Sequence, residues 1–544
     1  MIRTIQTSVL LFVCSTALLA QTPTGSISGL VKDPSGAVIA GASATATSLA
    51  TGTMRSVTTD SQGYFLIPNL LPGNYKVQIT YSGFNEYVLE SVPVEVGQTA
   101  RVAATLVVGA ASTEVEVAAQ AVAIDTEHAT VGGVVTTRQI DELPLNGRNY
   151  LELARLEPGV EIQAGQFFDP TKTRYTGISV GGQNGRETRI TLDGIDVVDE
   201  HVGTTTLNLS QETIQEFQLS TSSSDLSTGL SSTGAVNIIT KSGTNELHGS
   251  GFAYGRGSGW AARPSFAPTS PDFRRYQYGV HLGGAVIKDK VFFFGNFENT
   301  HEDSAIAVSS PFFPTITTFA APFDEKSQSV RGDWIVNRSN TVFFRWSRNE
   351  NSNFGGFGGS LMPSTGNINA DNTNQWVAGW DKVVTPRLTN SARMGVTQFH
   401  NTIQRPPTDA QALAVPGAEN FRIVTNDGSL TAGPDVNTPQ GTSEYFNQYR
   451  DDLTYVAGRH TLRWGGDVVY RQVSVYNFAA GFPTITVNSP PTRNFADLLN
   501  STVVSFTIGN RKGIRIPGTP DNTHRNTRFS GYVQDAWRIA GKPL

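Results

Sequence analysis

Thr341-Val342-Phe343-Phe344-Arg345-Trp346-Ser347-Arg348, preceded by the turn Asn337-Arg338-Ser339-Asn340, is the stretch that decides the fold. Successive side chains of a strand point to opposite faces, so Val342, Phe344 and Trp346 share one face and Phe343, Arg345 and Ser347 the other. One face is wholly apolar, while the other carries a cation and a hydroxyl. That contrast suits a wall between lipid and a polar interior, because membrane-crossing strands alternate apolar-out and polar-in and are joined by short turns on one side. The arrangement repeats along the chain. Residues 278–287 and 291–299 flank Lys288-Asp289-Lys290, residues 330–336 precede the Asn337 turn, and tight turns recur at Thr385-Pro386-Arg387 and Ala457-Gly458-Arg459-His460. After the last of these, Leu462, Trp464, Val468 and Tyr470 alternate with Arg463, Asp467 and Arg471.

Long polar stretches at residues 257–275, 303–321, 353–372, 401–443 and 476–526 separate the hairpins and read as loops on the opposite side, the kind that carries function. Gly355-Gly356-Phe357-Gly358-Gly359 reads as a mobile outer loop, since no Lys or helix follows it to hold phosphate. Phe292-Phe293-Phe294 reads as wall and interfacial girdle, and His301-Glu302-Asp303 as a solvated cluster where a strand enters a loop. Arg331-Gly332-Asp333 falls inside a predicted strand, so an adhesion role is set aside. The pattern yields about ten strands, against roughly 22 for large plugged transporters. The expectation is therefore an incomplete antiparallel transmembrane β-barrel in a C-terminally truncated fragment, since open strand edges cannot be satisfied by lipid.

Bulk composition agrees with a mainly β protein. Charged residues are 16% of 544 and glycines number 54, where soluble proteins average roughly 25% charged. A net charge of -5 supplies no basic field for nucleic acid, which excludes that partner. Residues 1–20, with Arg3 before the apolar run Val9 to Val13 and Ala20 before Gln21, read as a cleaved signal peptide. The apolar stretch is shorter than the roughly 20 residues a helical span needs, and Leu18 leaves the cut itself open. Cys14, the one cysteine, lies within it, so neither a disulfide nor a thiolate site is available downstream. With no long apolar helix, membrane entry requires a barrel. The motifs HExxH, GxSxG, GxxxxGK[ST] and GxGxxG are absent and the histidines are scattered, so the chain is read as no enzyme, with no catalytic, cofactor or metal residue assigned.

Three units precede or form this wall. Residues 25–108 alternate β-prone runs with turn signals such as Asp33-Pro34-Ser35-Gly36 and Asp60-Ser61-Gln62-Gly63, and Tyr75, Val77 and Ile79 fall on one face, which predicts a small antiparallel β-sandwich. Residues 109–129 are small and polar and read as a linker. Within them, Thr113-Glu114-Val115-Glu116-Val117-Ala118 is an extended stretch able to add as a strand to a partner's open sheet edge, and equally able to be the last strand of the sandwich. Residues 130–245 read as small α/β: a short helix over 150–156, strands around Ile178 and Ile190, an Asp193-Gly194 turn, residues 212–219 with Ile214 and Phe217 on one side, and a strand ending at Thr240.

Several of these strings resemble known modules. Ser28-Gly29-Leu30-Val31-Lys32-Asp33-Pro34-Ser35-Gly36, Thr59-Asp60-Ser61-Gln62-Gly63-Tyr64-Phe65 and Leu71-Pro72-Gly73-Asn74-Tyr75 are similar to the carboxypeptidase-regulatory-like domain, a prealbumin/Ig-like sandwich of carbohydrate-binding-like fold. The resemblance implies either a passive spacer or a sugar-binding module. Leu143-Pro144-Leu145-Asn146-Gly147-Arg148-Asn149 and Thr240-Lys241-Ser242-Gly243-Thr244-Asn245-Glu246-Leu247-His248-Gly249 resemble the plug and barrel entry of TonB-dependent receptors, specifically the Oar-like branch. Membership would imply an outer-membrane receptor whose plug, residues 130–245, stops a barrel beginning near 246, with the sandwich in the periplasm. Glu114, Val115, Glu116, Val117 and Ala118 are similar to the TonB box, the segment TonB grips, and Gly181, Gly182, Gln183, Asn184 and Arg186 are the plug loop expected to face a ligand. Expected partners are TonB with its inner-membrane energising complex, outer-membrane lipid, and a small ligand such as a siderophore, oligosaccharide or peptide. A carbohydrate-binding or adhesion protein on a barrel anchor, and a protein-export channel, stay open as alternatives.

Overall fold

The computed structural model describes residues 24–109, 114–116, 131–143, 145–164, 176–200, 203, 205–222, 233–260, 272–313, 315–407, 420–477, 482–508 and 522–538. The first unit comprises β1 (Gly25–Lys32), β2 (Ser43–Ser48), β3 (Met54–Thr58), β4 (Tyr64–Leu70), β5 (Gly73–Thr80), β6 (Glu86–Val94), β7 (Thr99–Thr105) and β8 (Glu114–Glu116). They form two sheets, ordered β4-β1-β7 and β3-β2-β5-β6-β8, which close over Ile27, Phe65, Tyr75, Val77, Ile79, Val92 and Val102. Turns form where Asp33 accepts from the N–H groups of Ser35 and Ala37, and Asp60 from those of Gln62 and Tyr64, a habit of short acidic side chains that competes with the sheet ladder. The expected sandwich is present but not purely antiparallel: β1 with β7 and β6 with β8 are parallel pairs. β7 leaves the second sheet after β6 and crosses to the first, which fixes its direction alongside β1.

The second unit holds β9 (Val131–Val135), a helix Thr137–Glu142, a 3-10 helix Tyr150–Leu156, then β10 (Val160–Ala164), β11 (Thr176–Val180), β12 (Arg189–Leu192), β13 (Ile195–Asp196), β14 (Ile214–Ser222) and β15 (Ala235–Thr240). Its main sheet runs β13-β12-β15-β14-β9 and packs Phe217, Leu192 and Ile238 against Ile140, Tyr150 and Leu153. Ile214 and Phe217 are both buried although three residues apart, because a register shift between Ile214 and Glu216 turns the strand. Leu156, the last residue of the predicted helix, is half exposed.

The third unit contains β16 (His248–Gly257), β17 (Arg274–Ile287), β18 (Val291–Asp303), β19 (Ala305–Val308), β20 (Thr317–Ala320), β21 (Phe323–Asn337), β22 (Asn340–Gly355) and β23 (Asn367–Thr385). It continues with β24 (Leu388–Gln404), β25 (Arg422–Thr425), β26 (Thr431–Ala432), β27 (Gln440–Ala457), β28 (His460–Asn477), β29 (Thr484–Val487), β30 (Val503–Thr507) and β31 (Asn522–Trp537). Ten strands form one meander, β16-β17-β18-β21-β22-β23-β24-β27-β28-β31, whose end strands are not paired with each other. Every pairing in it is antiparallel. Alternation sets the faces as expected: Arg345 and Ser347 are fully buried while Phe344 is 51% exposed. On β17, Tyr276, Tyr278, Val280 and Leu282 point outward together, an apolar band of the kind lipid covers.

Two expectations fail here. Phe292 and Phe294 are buried, on the same face of β18 as Asn296, Glu298 and Thr300; period two leaves only Phe293 of that triplet for the outer wall. The long stretches are not simply loops either. β25, β26, β29 and β30 form a sheet, β19 pairs with β20, and together with residues 354–362 they share a core of Val308, Phe357, Met362, Ile423, Leu430, Val487 and Leu498. Phe357 is the apolar anchor inside the Gly-rich run taken as mobile; its burial ties that run into the cap. Among the described residues no helix is long and apolar enough to cross a membrane.

Candidate functional site

The site begins with a two-residue turn. Asp193 and Gly194 both take positive φ, 49° and 85°, the conformation that twist-matched hairpins require and that Asp-Gly adopts at least cost. The hairpin β12–β13 thereby projects a carboxylate and Ile195 from the second unit into the wall. Ile195 packs with Phe343, Val377, Phe446 and Val469 of the wall. Gly395 on β24 makes that approach possible, since a Cβ there would lie 2.5 Å from the Cγ2 of Ile195.

Asp193 is the centre of a buried charge network. It accepts from the backbone N–H of Thr240 at 3.0 Å and its hydroxyl at 2.9 Å, and pairs with Arg345 at 2.7 Å and Arg331 at 3.4 Å. Burial opposes its ionisation, but the two guanidinium groups and Thr240 outweigh it and hold the carboxyl below its usual range. Arg331 also pairs with Asp333 at 2.8 Å and stacks over Phe343. Both charged members of the Arg-Gly-Asp triplet are thus occupied inside the wall.

Neighbouring contacts extend the lock outward. Arg450 donates to the carbonyl of Gly194, Gln448 accepts from the N–H of Asp196, and Arg471 pairs with Asp196 at 3.3 Å and Glu200 at 2.9 Å. Arg189 lies 3.8 Å from Asp467. On the other flank Arg148, from the string Leu143 to Asn149, bridges Glu212 at 2.8 Å and Glu298 at 3.2 Å and lies over Phe252. A buried pair of this kind is weak evidence of net stability, yet removing one partner strands a charge, at about 3–5 kcal/mol.

Above the lock, toward the long-loop ends of the strands, a cavity of about 200 Å³ lies between the two units. The second unit contributes Gly147, Asn149, Glu152, Thr205 and Asn208, and the wall contributes Arg275, Glu302, Glu325, Asn349 and Asp371. Arg275 pairs with Glu302 at 2.6 Å, and Asn208 and Asn349 donate to Glu325 at 2.7 and 3.0 Å. The lining is rich in carboxylates and amides held in place by neighbours. Two strings singled out in the sequence reach this position, Leu143 to Asn149 and His301-Glu302-Asp303. Glu302, read as part of a solvated cluster, is instead buried against Arg275 because its strand turns it inward, and the other wall residues come from strand ends far apart in sequence.

The loop Gly181, Gly182, Gln183, Asn184 and Arg186 is exposed and gathered in one place, with Gly181 and Gly182 at φ 60° and 77° and Asn184 capping the following turn. Arg186 packs by Gly203, near Glu200, whose N–H reaches Glu444 on β27. None of the five lines the cavity. Glu114, Val115 and Glu116 form β8, paired in parallel with Glu86, Tyr87 and Val88 at the edge of the sandwich; Val117 and Ala118 lie outside the described residues.

A membrane-type strand wall packed around a smaller folded unit that is ion-paired to it has the architecture of part of an outer-membrane β-barrel with an inserted unit. The chain belongs to the outer-membrane β-barrel family: a profile described as "Outer membrane beta barrel domain" matches residues 239–324 and 316–542. A second profile, "Carboxypeptidase regulatory-like domain", matches residues 26–107. The chain is 29% identical over 270 residues to the TonB-dependent transporter Oar of Myxococcus xanthus, an alignment spanning 45% of this chain and 23% of that protein. The outer-membrane transporter YddB from Escherichia coli shares the fold, with a TM-score of 0.54 and 11% identity, over 74% of this chain and 54% of that one. The chain therefore aligns with only about half or less of these proteins' lengths.

Proposed function

We propose that this chain belongs to a TonB-dependent outer-membrane receptor that takes up a ligand with energy delivered by TonB. The observation that carries the reading is the Asp193 hairpin seated against Arg331 and Arg345 of the wall. A passive anchor needs no folded stopper held by buried charges that can be re-paired when the stopper moves. The similarity to Oar supports the same reading.

In this reading the ligand enters between the cap and the plug and settles in the polar cavity around Glu325 and Asp371. Carboxylates and amides there favour a ligand rich in hydrogen-bond donors over a densely anionic one. TonB takes β8 as an added strand; three residues at a sheet edge are few enough to exchange partners. Retention of the full-length receptor by the immobilised periplasmic domain of TonB tests this. Val115→Pro removes a strand N–H and is expected to abolish retention, while a wild-type receptor that is never retained would overturn the proposal.

A further inference from the structure

The sandwich is bolted across the short-turn mouth of the wall. The carbonyl of Ala50 accepts from the N–H of Asn245 at 2.9 Å, and Gly52, at φ 71°, approaches Asp289 so closely that a Cβ would sit 2.6 Å from its carboxylate. Asn69 donates to the hydroxyl of Thr389 at 2.7 Å, and Arg459 to Gln62 at 3.2 Å. Arg538 pairs with Asp60 at 3.6 Å and its guanidinium lies 3.2 Å from the ring centre of Tyr64. These contacts reach from the β17–β18 turn to the end of β31, so the sandwich spans the mouth from one side of the meander to the other.

The same unit also grips the plug. The N–H of Val96 donates to the carboxylate of Glu216 at 2.7 Å, in a buried contact, and Gly97 sits where a Cβ would fall 2.4 Å from the side-chain nitrogen of Gln218. Glu216 and Gln218 lie on β14, the strand that holds β9 through Phe217↔Val135 and Leu219↔Gly133. β9 is the first plug strand after the linker that follows β8. Tension on that linker therefore arrives at β9, while the sandwich holds its neighbour β14 in place.

We propose that the sandwich is a periplasmic latch: docked, it closes the mouth and pins β14, and it must swing away before plug strands can leave the wall. This rests on the plug being the moving part of a transporter, as proposed above. Two cysteine pairs, Asn69→Cys with Thr389→Cys and Gln62→Cys with Arg459→Cys, test it in full-length receptor in isolated outer membranes. A short bis-maleimide, whose span exceeds that of a disulfide, is expected to join each pair in most molecules, with no intramolecular link in the single-cysteine controls. In purified receptor, amide exchange of β9 and β14 is expected to be about tenfold slower in the linked than in the unlinked protein, as for a unit whose local opening is blocked. Pairs that do not link beyond the controls, or links that leave that exchange unchanged, would overturn the latch. Either failure is separate from loss of TonB retention, which would sink the transport reading and leave the docking standing.

Discussion

Asp193 concentrates the physics of this molecule in one side chain. It is 1% exposed and faces two arginines, of which Arg345 is wholly buried. Asp193→Ala leaves both guanidinium groups without that partner, and a loss of about 3–5 kcal/mol is expected in chemical denaturation of the detergent-solubilised receptor. Asp193→Asn, which keeps an acceptor, should lose less. A second residue sets a pH dependence. Burial raises the Glu216 carboxyl to about 8, against the Val96 hydrogen bond that favours its charged form and with the nearby Glu95 carboxylate adding to the rise. The docked state therefore holds a proton that the undocked state releases. Docking is at full strength below the ordinary glutamate range and weakens as pH climbs through about 8. Cross-linking of the Asn69 and Thr389 cysteines should fall across that window. Glu216→Gln should flatten most of the dependence, the remainder being Glu95, whose carboxyl burial also raises.

At the scale of elements, the two faces of a strand predict opposite outcomes. Val280 and Phe344 face outward and are more than half exposed, so Val280→Arg or Phe344→Arg should cost about 2–4 kcal/mol if placed near the bilayer midplane, read as reduced folding into lipid vesicles. Arginine is native on the other face of β22, at Arg345, and on the buried face of its neighbour β21, at Arg331. Strand existence, hairpin turns and this alternation were legible because they are local: period two and tight turns need only adjacent residues. The sandwich's parallel pairs and the inward Phe292 and Phe294 were less so. Which sheet a strand joins, and which face is the interior, depends on crossovers and register that no short window contains.

At the scale of the whole molecule, the proposed uptake depends on the cap and the cavity. Phe357→Ala empties a buried position in the cap core, and the expected loss of about 3–5 kcal/mol in cap stability should appear as faster protease cleavage of the outer segments with the wall intact. Glu325→Ala removes the acceptor for Asn208 and Asn349 at the cavity. It is expected to lower ligand uptake by cells severalfold while leaving the amount of receptor in the outer membrane unchanged; equal uptake would move the binding site elsewhere. The cavity escaped sequence reading because its lining joins residues as distant as Asn149 and Asp371.

By itself the sequence determined the mainly β character, the hairpins of the strand wall and the alternation of their faces, because apolar alternation and turn chemistry act over a few residues and survive without knowledge of neighbours. Tertiary structure alone decided that Asp193 meets Arg331 and Arg345, that four of the five polar stretches contribute to one cap, and that the sandwich docks across the mouth. Those outcomes pair groups well separated in the chain, whose burial forces each charge and donor to find a partner that proximity in the chain cannot name.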